Sequence, residues 1–428
     1  MSERAAVDDD LVGQRLELQI GAVAHGGHCV ARVGNRVVFV RHALPGERVV
    51  ALITEGAAGA RFLRADAVQV LHASAHRVPP PCPYAHPGGC GGCDFQHVAL
   101  GEQRRLLSAV VAEQFSRLAG IELAVEVEPV AGDDEGLGWR TRVRYAVTDD
   151  GRLGLRKHRS HDVVPVDRCR IAQADLTTVT DLRWPGSASV EAVVSTTGET
   201  LIVLEPSGRR RPGLPRIPAA GVVTRDGDRL RGRTYVTEWA GGRSWRVSGG
   251  GFWQVHPGAA AALNTAVLDF LRPLPGERVL DLFSGVGLFS GALAAAVGTS
   301  GTVLAVDGDR RAAADARRNL HDLRQVRIVH GRVDAVLAGD SVGDPDLVVL
   351  DPPRVGARRE VVTQLSRLAP RAVAYVSCDP AALARDVADF AGSGYRLAGL
   401  RAFDIFPMTH HVECVALLVP DGSTHQPR

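Results

Sequence analysis

The sequence predicts three domains in chain order: an N-terminal OB-like β-barrel, a central β-rich α/β domain and a C-terminal doubly wound α/β domain of the Rossmann-like type. Short β-type runs alternate with turn signals over the first 72 residues, and a proline-rich break with a cysteine cluster follows them. Strand and helix patterns then alternate from residue 246 onwards. The length of 428 residues agrees with this division, because domains usually hold about 100 to 200 residues.

The N-terminal barrel is expected over residues 8–72. Its apolar β-type runs are short, and turn pairs such as Gly26-Gly27 and Pro45-Gly46 separate them. Short strands joined by tight turns at this spacing are typical of small OB-like barrels. The predicted strands cover residues 15–20, 37–40, 49–53 and 67–71.

The central domain is expected over residues 73–245, and the three prolines at 79–81 mark its start because proline interrupts regular structure. Apolar residues at helical spacing predict a helix at about 99–120, which is a candidate to pack on the C-terminal domain. Residues 138–246 contain 20 Lys and Arg against 12 Asp and Glu, a net charge of +8. The whole chain carries +2, so the rest carries −6 and the near-neutral total hides a basic segment.

The C-terminal domain, expected over residues 246–428, opens with a strand, a glycine turn and a helix. Gly285 and Gly287 in this turn let a ligand approach the backbone at the carboxyl end of the sheet. Asp307 ends the next strand, where it can accept hydrogen bonds from ribose hydroxyls. The dinucleotide fingerprint needs a third glycine where Ser290 stands, so a dinucleotide oxidoreductase is disfavoured.

Cys378 and Glu413 are the candidate catalytic residues. Cys378 lies between a predicted strand and a helix that Asp379 caps, and a helix N-terminus lowers the pKa of a thiol. Glu413 begins an apolar run that predicts a strand, so its carboxylate has reason to act as a buried proton acceptor. The alternatives are an inert buried cysteine and an ordinary charge at a strand edge. A further turn, Asp-Pro-Pro-Arg, holds Asp351 and Arg354 rigidly after another apolar strand.

Four cysteines form a candidate metal site. Cys82, Cys90 and Cys93 lie close together in the chain, and Cys169 follows much later. Four thiolates suit either tetrahedral zinc or an iron-sulfur cluster, and the spacing alone does not separate these metals.

Together these motifs resemble the class I S-adenosylmethionine-dependent RNA 5-methyluridine methyltransferases over nearly the whole chain. Residues 11–71 resemble the family's TRAM domain, and residues 82–97, with Cys-Gly-Gly-Cys-Asp-Phe-Gln-His, resemble its iron-sulfur segment. Gly-Phe-Trp-Gln-Val at 251–255 is similar to the entry into its catalytic domain. Asp-Leu-Phe-Ser-Gly-x-Gly, Asp-Pro-Pro-Arg, Ser-Cys-Asp-Pro and His-Val-Glu then follow in family order, and the last two motifs are the specific ones.

The resemblance implies a role for each matched residue. Cys378 would be the nucleophile and Glu413 the base. Many members carry Asn after the glycine turn as a donor contact, whereas this chain has Leu288, which puts that one contact in doubt. The implied methyl-donor contacts are Gln254, Phe283, Gly285, Gly287, Asp307 and Asp351, and the implied ligands of a 4Fe-4S cluster, with zinc as the alternative, are Cys82, Cys90, Cys93 and Cys169.

The implied reaction is methylation at C5 of a uridine in structured RNA, either tRNA or rRNA. An RNA 5-methylcytosine methyltransferase would need a second cysteine where the chain has Pro353-Arg354. The other alternative is an inactive RNA-binding iron-sulfur protein, against which the intact Cys378 and Glu413 argue. The basic segment predicts an RNA-facing surface, and charge reversal at Arg140, Arg142 and Arg144 is expected to weaken RNA binding.

The expected setting is a cytoplasmic monomer with RNA as its partner, and neither membrane contact nor an obligate protein partner is expected. The N-terminus lacks a positively charged start leading into an apolar stretch, as a signal peptide would have. Apolar runs stay well below the ~18 residues needed to cross a bilayer. An odd total of seven cysteines, three of them clustered, favours metal binding or catalysis over disulfides.

Overall fold

The computed structural model describes residues 10–208, 212–339 and 342–423, apart from the side chain of Thr177. The expected outer limits of the first and last domains, residues 8 and 428, lie outside this range. Three sheets of six, seven and eight strands and one two-stranded hairpin make up the β-structure of the described residues.

The N-terminal domain is a six-stranded barrel-like sheet with the strand order β1-β5-β6-β4-β3-β2. Alternate side chains of its strands point inwards; Val38, Val40, Val49 and Ala51 are fully buried, as the period of a β-strand requires. Its strands are β1 (Arg15–Gln19), β2 (Val23–Ala24), β3 (His28–Val33), β4 (Arg36–Arg41), β5 (Arg48–Glu55) and β6 (Phe62–His72).

The central region contributes one long helix, a seven-stranded sheet and a hairpin. Helix α1 (Leu100–Ala119) ends at Gly120, which adopts the left-handed conformation that favours glycine. The sheet follows the order β10-β9-β8-β11-β12-β13-β14. Its strands are β8 (Arg142–Val147), β9 (Leu153–Arg156), β10 (Val163–Pro165), β11 (Ser187–Val194), β12 (Thr200–Pro206), β13 (Gly221–Thr224) and β14 (Arg229–Gly232), with a 3-10 helix at Ala174–Val179 and the hairpin β15 (Tyr235–Ala240) and β16 (Arg243–Ser248).

The C-terminal domain is a doubly wound α/β sheet with the strand order β19-β18-β17-β20-β21-β23-β22-β7, where β7 is Val127–Pro129. Strand β23 runs antiparallel to both of its neighbours. The elements are α2 (Ala259–Leu271), β17 (Arg278–Leu282), α3 (Leu288–Val297), β18 (Thr302–Asp307), α4 (Arg310–Asn319), β19 (Val326–His330), α5 (Val333–Leu337), β20 (Leu347–Leu350), α6 (Arg358–Arg367), β21 (Ala372–Ser377), α7 (Pro380–Ala391), β22 (Tyr395–Asp404) and β23 (Glu413–Pro420).

Two pieces of residues 73–245 join the C-terminal domain: strand β7, and helix α1, which was the candidate to pack there. Strand β7 pairs with β22 at the edge of its sheet, with Val127 opposite Ala402. The apolar face of α1 is buried in the same cluster as α7, through side chains such as Phe115 and Phe390. Helical periodicity indicates that α1 has an apolar face, but the pairing of a three-residue strand across about 270 residues leaves no local signal. The expected boundaries at 72 and 245 stay predictions.

The fold brings several strand ends to one edge of the C-terminal sheet. The parallel strands β17, β18, β20 and β21 all end there, and the antiparallel β23 begins there. Apolar clusters cover both faces of the sheet, with α2 and α3 on one side and α1, α6 and α7 on the other. In sheets of this kind, ligands bind outside the carboxyl ends of the strands.

Candidate active site

The two candidate catalytic residues lie side by side at this edge. Cys378 directly follows β21 and Glu413 is the first residue of β23. The antiparallel register pairs Ser377 with Cys414, so the next position pairs Cys378 with Glu413. Sequence analysis predicted both residues separately, and the sheet brings them together because neighbouring strands of opposite direction end and begin at the same edge.

The thiol of Cys378 is protonated in the free protein. Burial and the neighbouring Glu413 carboxylate raise its pKa to about 12, and the charge of Arg354 only partly opposes them. The expectation of a lowered pKa is therefore wrong for the free protein, since burial outweighs the helix N-terminus. The expected cap is present: Asp379 accepts a hydrogen bond from Ala382 N at 2.8 Å and begins α7.

Glu413 is a buried carboxyl group that interacts electrostatically with the half-buried Asp351. Glu413 is only 4% exposed, and burial followed by the charge of Asp351 raises its pKa well above the ordinary value. Burial also raises the pKa of Asp351. Two carboxyl groups that disfavour each other's ionisation can hold a proton between them. The pair is thus suited to accept a proton.

Arg354 supplies a positive charge beside this pair. Its charge lowers the pKa of both Cys378 and Glu413, and its Nη2 lies 3.4 Å from His411 Nε2. Sequence analysis placed Arg354 in a rigid turn without a role and did not select His411. The available signal was the position of His411 two residues before Glu413. Arg354 favours the thiolate and the carboxylate, the two charged forms that nucleophilic addition and proton abstraction need.

The glycine turn and Asp307 form a second part of the edge. Gly285 and Gly287 have φ values of 55° and 96°, and a Cβ on Gly287 would lie 2.6 Å from Leu320 Cδ1. Asp307 accepts hydrogen bonds from Gly285 N and Asp309 N, both at 2.7 Å. Each carboxylate oxygen has a further lone pair. Asp307 can therefore brace the turn and still accept from ribose hydroxyls.

Asp281 is a candidate that the sequence analysis missed. Its Oδ2 accepts a hydrogen bond from Ser290 Oγ at 2.5 Å, and Oδ1 has no hydrogen-bond partner among the described residues. Burial raises its pKa to about 7, and the charges of Asp351 and Asp307 add to the effect. Ser290, which stands where the dinucleotide fingerprint has glycine, thus binds the buried Asp281. The sequence analysis included Asp281 only as part of the strand before the glycine turn.

The chain is similar to known proteins over most of its length. Family profiles match residues 10–68 (TRAM domain), 342–420 (tRNA (Uracil-5-)-methyltransferase) and 257–340 (Protein-L-isoaspartate(D-aspartate) O-methyltransferase). An "Uncharacterized RNA methyltransferase" of Streptomyces avermitilis is 51% identical, covering 96% of this chain and 99% of the relative. The 23S rRNA (uracil(1939)-C(5))-methyltransferase RlmD of Pseudomonas fluorescens is 33% identical, covering 96% and 94%. The chain belongs to the RNA (uracil-5-)methyltransferase family.

A solved structure extends the similarity to the fold of this uracil methyltransferase. The Pyrococcus abyssi tRNA (uracil-54, C5)-methyltransferase, solved with S-adenosyl-L-homocysteine, superposes with a TM-score of 0.72. The two chains are 24% identical, and the match covers 94% of this chain and 100% of that one. The predicted combination of a barrel-like TRAM region with a C-terminal methyltransferase fold is confirmed. In the part of the chain that the structure describes, no helix is long and apolar enough to cross a membrane.

The donor side of the methyltransferase departs from the family pattern at Leu288. Leu288 is 8% exposed and packs in an apolar cluster with Trp245, Trp253 and Leu320. Leu288 is therefore a core position that joins the hairpin β15–β16 to the glycine turn. Gln254, the residue after Trp253, is also buried. It lies in the segment between this hairpin and α2.

The four cysteines of the predicted cluster converge on one cavity. Its lining includes Cys82, Cys90, Cys93 and Cys169 together with several arginines. Two N–H groups point at the sulfurs: Gly92 N lies 3.4 Å from Cys90 Sγ, and the amide nitrogen of Gln96 lies 3.5 Å from Cys93 Sγ. Among residues 10–208, 212–339 and 342–423, we find no group of three or more His, Cys, Asp or Glu side chains with the geometry of a metal site.

The expected RNA-facing arginines divide into buried and exposed residues. Arg142 is 7% exposed and donates from Nη1 to Gly251 O at 2.6 Å, so the expectation that it faces RNA is wrong. Arg142 and Arg144 lie on the same face of β8, because side chains two residues apart in a strand point the same way. Arg142 is buried because it packs against the loop before α2, and its hydrogen bond ties the central sheet to that loop. Arg144, two residues later, is 44% exposed and pairs with Glu205. The large exposed apolar side chains on the surface include Trp239 and Phe252.

Proposed function

We propose that this protein methylates C5 of a uridine in structured RNA, using S-adenosylmethionine as the methyl donor. The observation that carries this proposal is that Cys378 and Glu413 lie next to the paired residues Ser377 and Cys414 of β21 and β23, close enough for the charge of Glu413 to act on the thiol. Uracil C5 is a weak nucleophile, so a thiolate that adds to C6 is needed to activate it. A carboxylate is then needed to remove the C5 proton.

The proposed reaction begins when the Cys378 thiol gives its proton to solvent and the sulfur bonds to uracil C6, which leaves an enolate. C5 then bonds to the donated methyl group, and S-adenosylhomocysteine leaves. Glu413 takes the proton from C5, the C5–C6 double bond reforms, and the C6–S bond breaks to release the thiolate. Arg354 favours the thiolate form during addition, because its charge lowers the pKa of Cys378. The target uridine must be unstacked or flipped out to reach these groups.

The methyl donor is proposed to bind along the same edge. Gly285, Gly287 and Phe283 form the turn that meets it, and Asp307 accepts from its ribose. Gln254 and Asp351 complete the proposed contacts. The donor supplies an electrophilic methyl group. Asp281 is a further candidate residue of the donor site, because its buried Oδ1 has no hydrogen-bond partner among the described residues. Its Oδ2 accepts from Ser290 of α3, and this contact orders the glycine turn.

The four-cysteine cavity is proposed to hold a 4Fe-4S cluster, with zinc as the alternative. Cys82, Cys90, Cys93 and Cys169 share the cavity, and N–H groups directed at cluster sulfurs are common around iron-sulfur sites. The cluster would have a structural role here. A broad visible absorption after anaerobic purification supports it, and a colourless protein that contains zinc overturns it.

The RNA target is proposed to be rRNA or tRNA. The relative from P. fluorescens is named for a 23S rRNA uracil and the P. abyssi protein for tRNA uracil-54, so both classes occur among similar proteins. We also propose that the enzyme acts as a monomer.

Replacement of the nucleophile tests the proposed mechanism. We expect Cys378→Ala to lose methylation while it still binds S-adenosylhomocysteine, measured by calorimetry. Wild-type enzyme should form a covalent complex with 5-fluorouridine RNA that resists denaturing gels, because Glu413 cannot remove fluorine as it removes a proton. A Cys378→Ala variant that still methylates RNA contradicts the mechanism. Absence of the wild-type adduct favours an inactive RNA-binding protein.

A further inference from the structure

The loop that leads to the proposed base is held from outside its own domain. This loop, residues 405–412, joins β22 to Glu413 and is called the base loop below. Met408 at its centre has φ of +69°, a left-handed conformation that non-glycine residues rarely adopt. Met408 O accepts hydrogen bonds from the backbone N–H groups of Asp94 and Phe95, both at 3.0 Å. Met408 N donates to Gln103 Oε1 at 2.9 Å.

The Asp94 side chain makes the next contacts. It is 5% exposed, and its Oδ2 lies 3.2 Å from His410 N and 2.6 Å from His410 Nδ1. Its Oδ1 accepts from Arg41 Nη2 at 3.3 Å. Arg41 is the last residue of β4, so the carboxylate joins the base loop on one side to the barrel on the other.

The barrel also approaches this contact through its backbone. A Cβ on Gly27, in the turn between β2 and β3, would lie 2.7 Å from His410 Cβ and 2.8 Å from Asp94 Cβ. Gly27 has φ of +78°, so both its conformation and its surroundings require glycine. The barrel turn, Asp94 and the base loop are therefore packed as one unit three residues before Glu413.

We infer that Asp94, anchored by Arg41 of the barrel, is a positioning residue for Glu413. This inference rests on the proposed role of Glu413 as the base. It gives the barrel a part in the chemistry that is separate from any RNA contact it makes. Without the Asp94 carboxylate, His410 loses its anchor and the strained turn at Met408 can relax, which moves Glu413 relative to uracil C5. A displacement of about 1 Å can slow a chemical step by ~100-fold.

The inference predicts which step suffers. Cys378 lies on a different loop, where Asp379 caps α7 and where the barrel contact is a separate one, from His25 Nε2 to Asp379 Oδ2 at 3.4 Å. Variants of Asp94 and Arg41 leave that contact in place. Thiolate addition and methyl transfer should therefore proceed, while removal of the C5 proton and release of the thiol become slow. The methylated RNA should then stay attached to Cys378.

The test uses the full-length protein, methyl-labelled S-adenosylmethionine and an unmodified RNA transcript that the wild type methylates. We expect Asp94→Ala and Arg41→Gln each to lower kcat by about 10- to 100-fold. The ratio kcat/KM for RNA and for the donor should stay within about twofold of wild type, because the steps up to methyl transfer are unchanged. Denaturing gels should show labelled covalent complex at steady state. Arg48→Gln is the matched control, because Arg48 is an exposed barrel arginine that pairs with Glu17 at 3.5 Å. Its strand, β5, is separated from β4, the strand of Arg41, by β6.

Glu413→Gln separates failure of this inference from failure of the proposed function. If Glu413→Gln accumulates covalent complex and the two positioning variants do not, the inference is wrong and the proposed mechanism stands. If Glu413→Gln also forms none, the proposed mechanism is wrong. A raised RNA KM with unchanged kcat in Arg41→Gln would assign Arg41 to RNA binding and overturn the inference. If Asp94→Ala does not fold, because the change lies next to Cys93, the result for Arg41→Gln alone decides whether the inference holds. Arg41→Gln changes only the barrel side of the contact.

Discussion

Glu413→Gln should make the protein inactive and, above neutral pH, more stable. Glutamine keeps the shape of the side chain and removes its proton-accepting oxygen. Loss of a general base lowers a rate by about 10²- to 10⁴-fold. The stability effect follows from burial and from the charge of Asp351, which together raise the pKa of Glu413 well above its ordinary value.

The sign and size of the stability effect can be worked from linkage. A raised pKa in the folded state means that the folded protein binds the proton more tightly than the unfolded chain. The unfolding free energy therefore falls as pH rises from the ordinary pKa to the raised one, by about 1.4 kcal/mol for each unit between them. Glutamine does not titrate, so the variant escapes this loss. We expect its unfolding free energy to match that of wild type at pH 5 and to exceed it at pH 9.

Urea denaturation followed by tryptophan fluorescence at both pH values measures this difference, with Glu360→Gln on the surface of α6 as the control. Equal stability of Glu413→Gln and wild type at pH 9 would show that Glu413 ionises without a penalty. Lower stability of the variant at pH 9 would show that the carboxylate is held by favourable contacts. Either result would refute the description of Glu413 as a buried, proton-holding carboxyl group.

Three further predictions concern the same region. Peptide mapping after iodoacetamide treatment should find Cys378 slow to react at pH 7 and faster as the pH approaches 12, with faster labelling in Glu413→Gln because that carboxylate raises the thiol pKa; rapid labelling of the wild type at pH 7 would refute this. Leu288→Asn should lower the unfolding free energy by ~2–5 kcal/mol, because it buries an amide in an apolar cluster. It should not tighten the binding of S-adenosylhomocysteine, and tighter binding at unchanged stability would contradict this prediction. Arg144→Glu should weaken RNA binding in filter-binding assays and reduce its salt dependence, because Arg144 is exposed. Arg142→Glu should unfold the protein, as measured by circular dichroism, because Arg142 is buried. The opposite pattern would count against the assignment of Arg144 to the surface and Arg142 to the interior.

The sequence alone was enough to locate the strand ends that form the site. Asp307, Asp351 and Cys378 each follow an apolar strand, and strands of a parallel sheet end at the same edge. Glu413 could be placed with them because it begins an apolar run instead of ending one. Local sequence signals of this kind were sufficient to predict which strand ends meet in the α/β domain. The four cysteines, which were predicted to form one site, line a single cavity.

The electrostatics and the long-range contacts could not be predicted from local signals. The pKa of Cys378 depends on how deeply the thiol is buried and on the distance to Glu413, and both are set by tertiary packing. Asp94 follows a cysteine and looks like an ordinary loop residue, yet it binds His410, 316 residues further along the chain. Arg142 and Arg144 lie on the same face of one β-strand, and only the contact of Arg142 with Gly251, 109 residues further along the chain, buries one of them.

Nucleoside mass spectrometry with site mapping tests the central claim most directly. Purified enzyme is incubated with unmodified tRNA and rRNA and with methyl-labelled S-adenosylmethionine, and the digested RNA is compared with that from Cys378→Ala. We predict labelled 5-methyluridine at a defined position with the wild type and none with the variant. Label in 5-methylcytidine, or no labelled nucleoside from either RNA class although the protein binds S-adenosylhomocysteine, would contradict the proposed function.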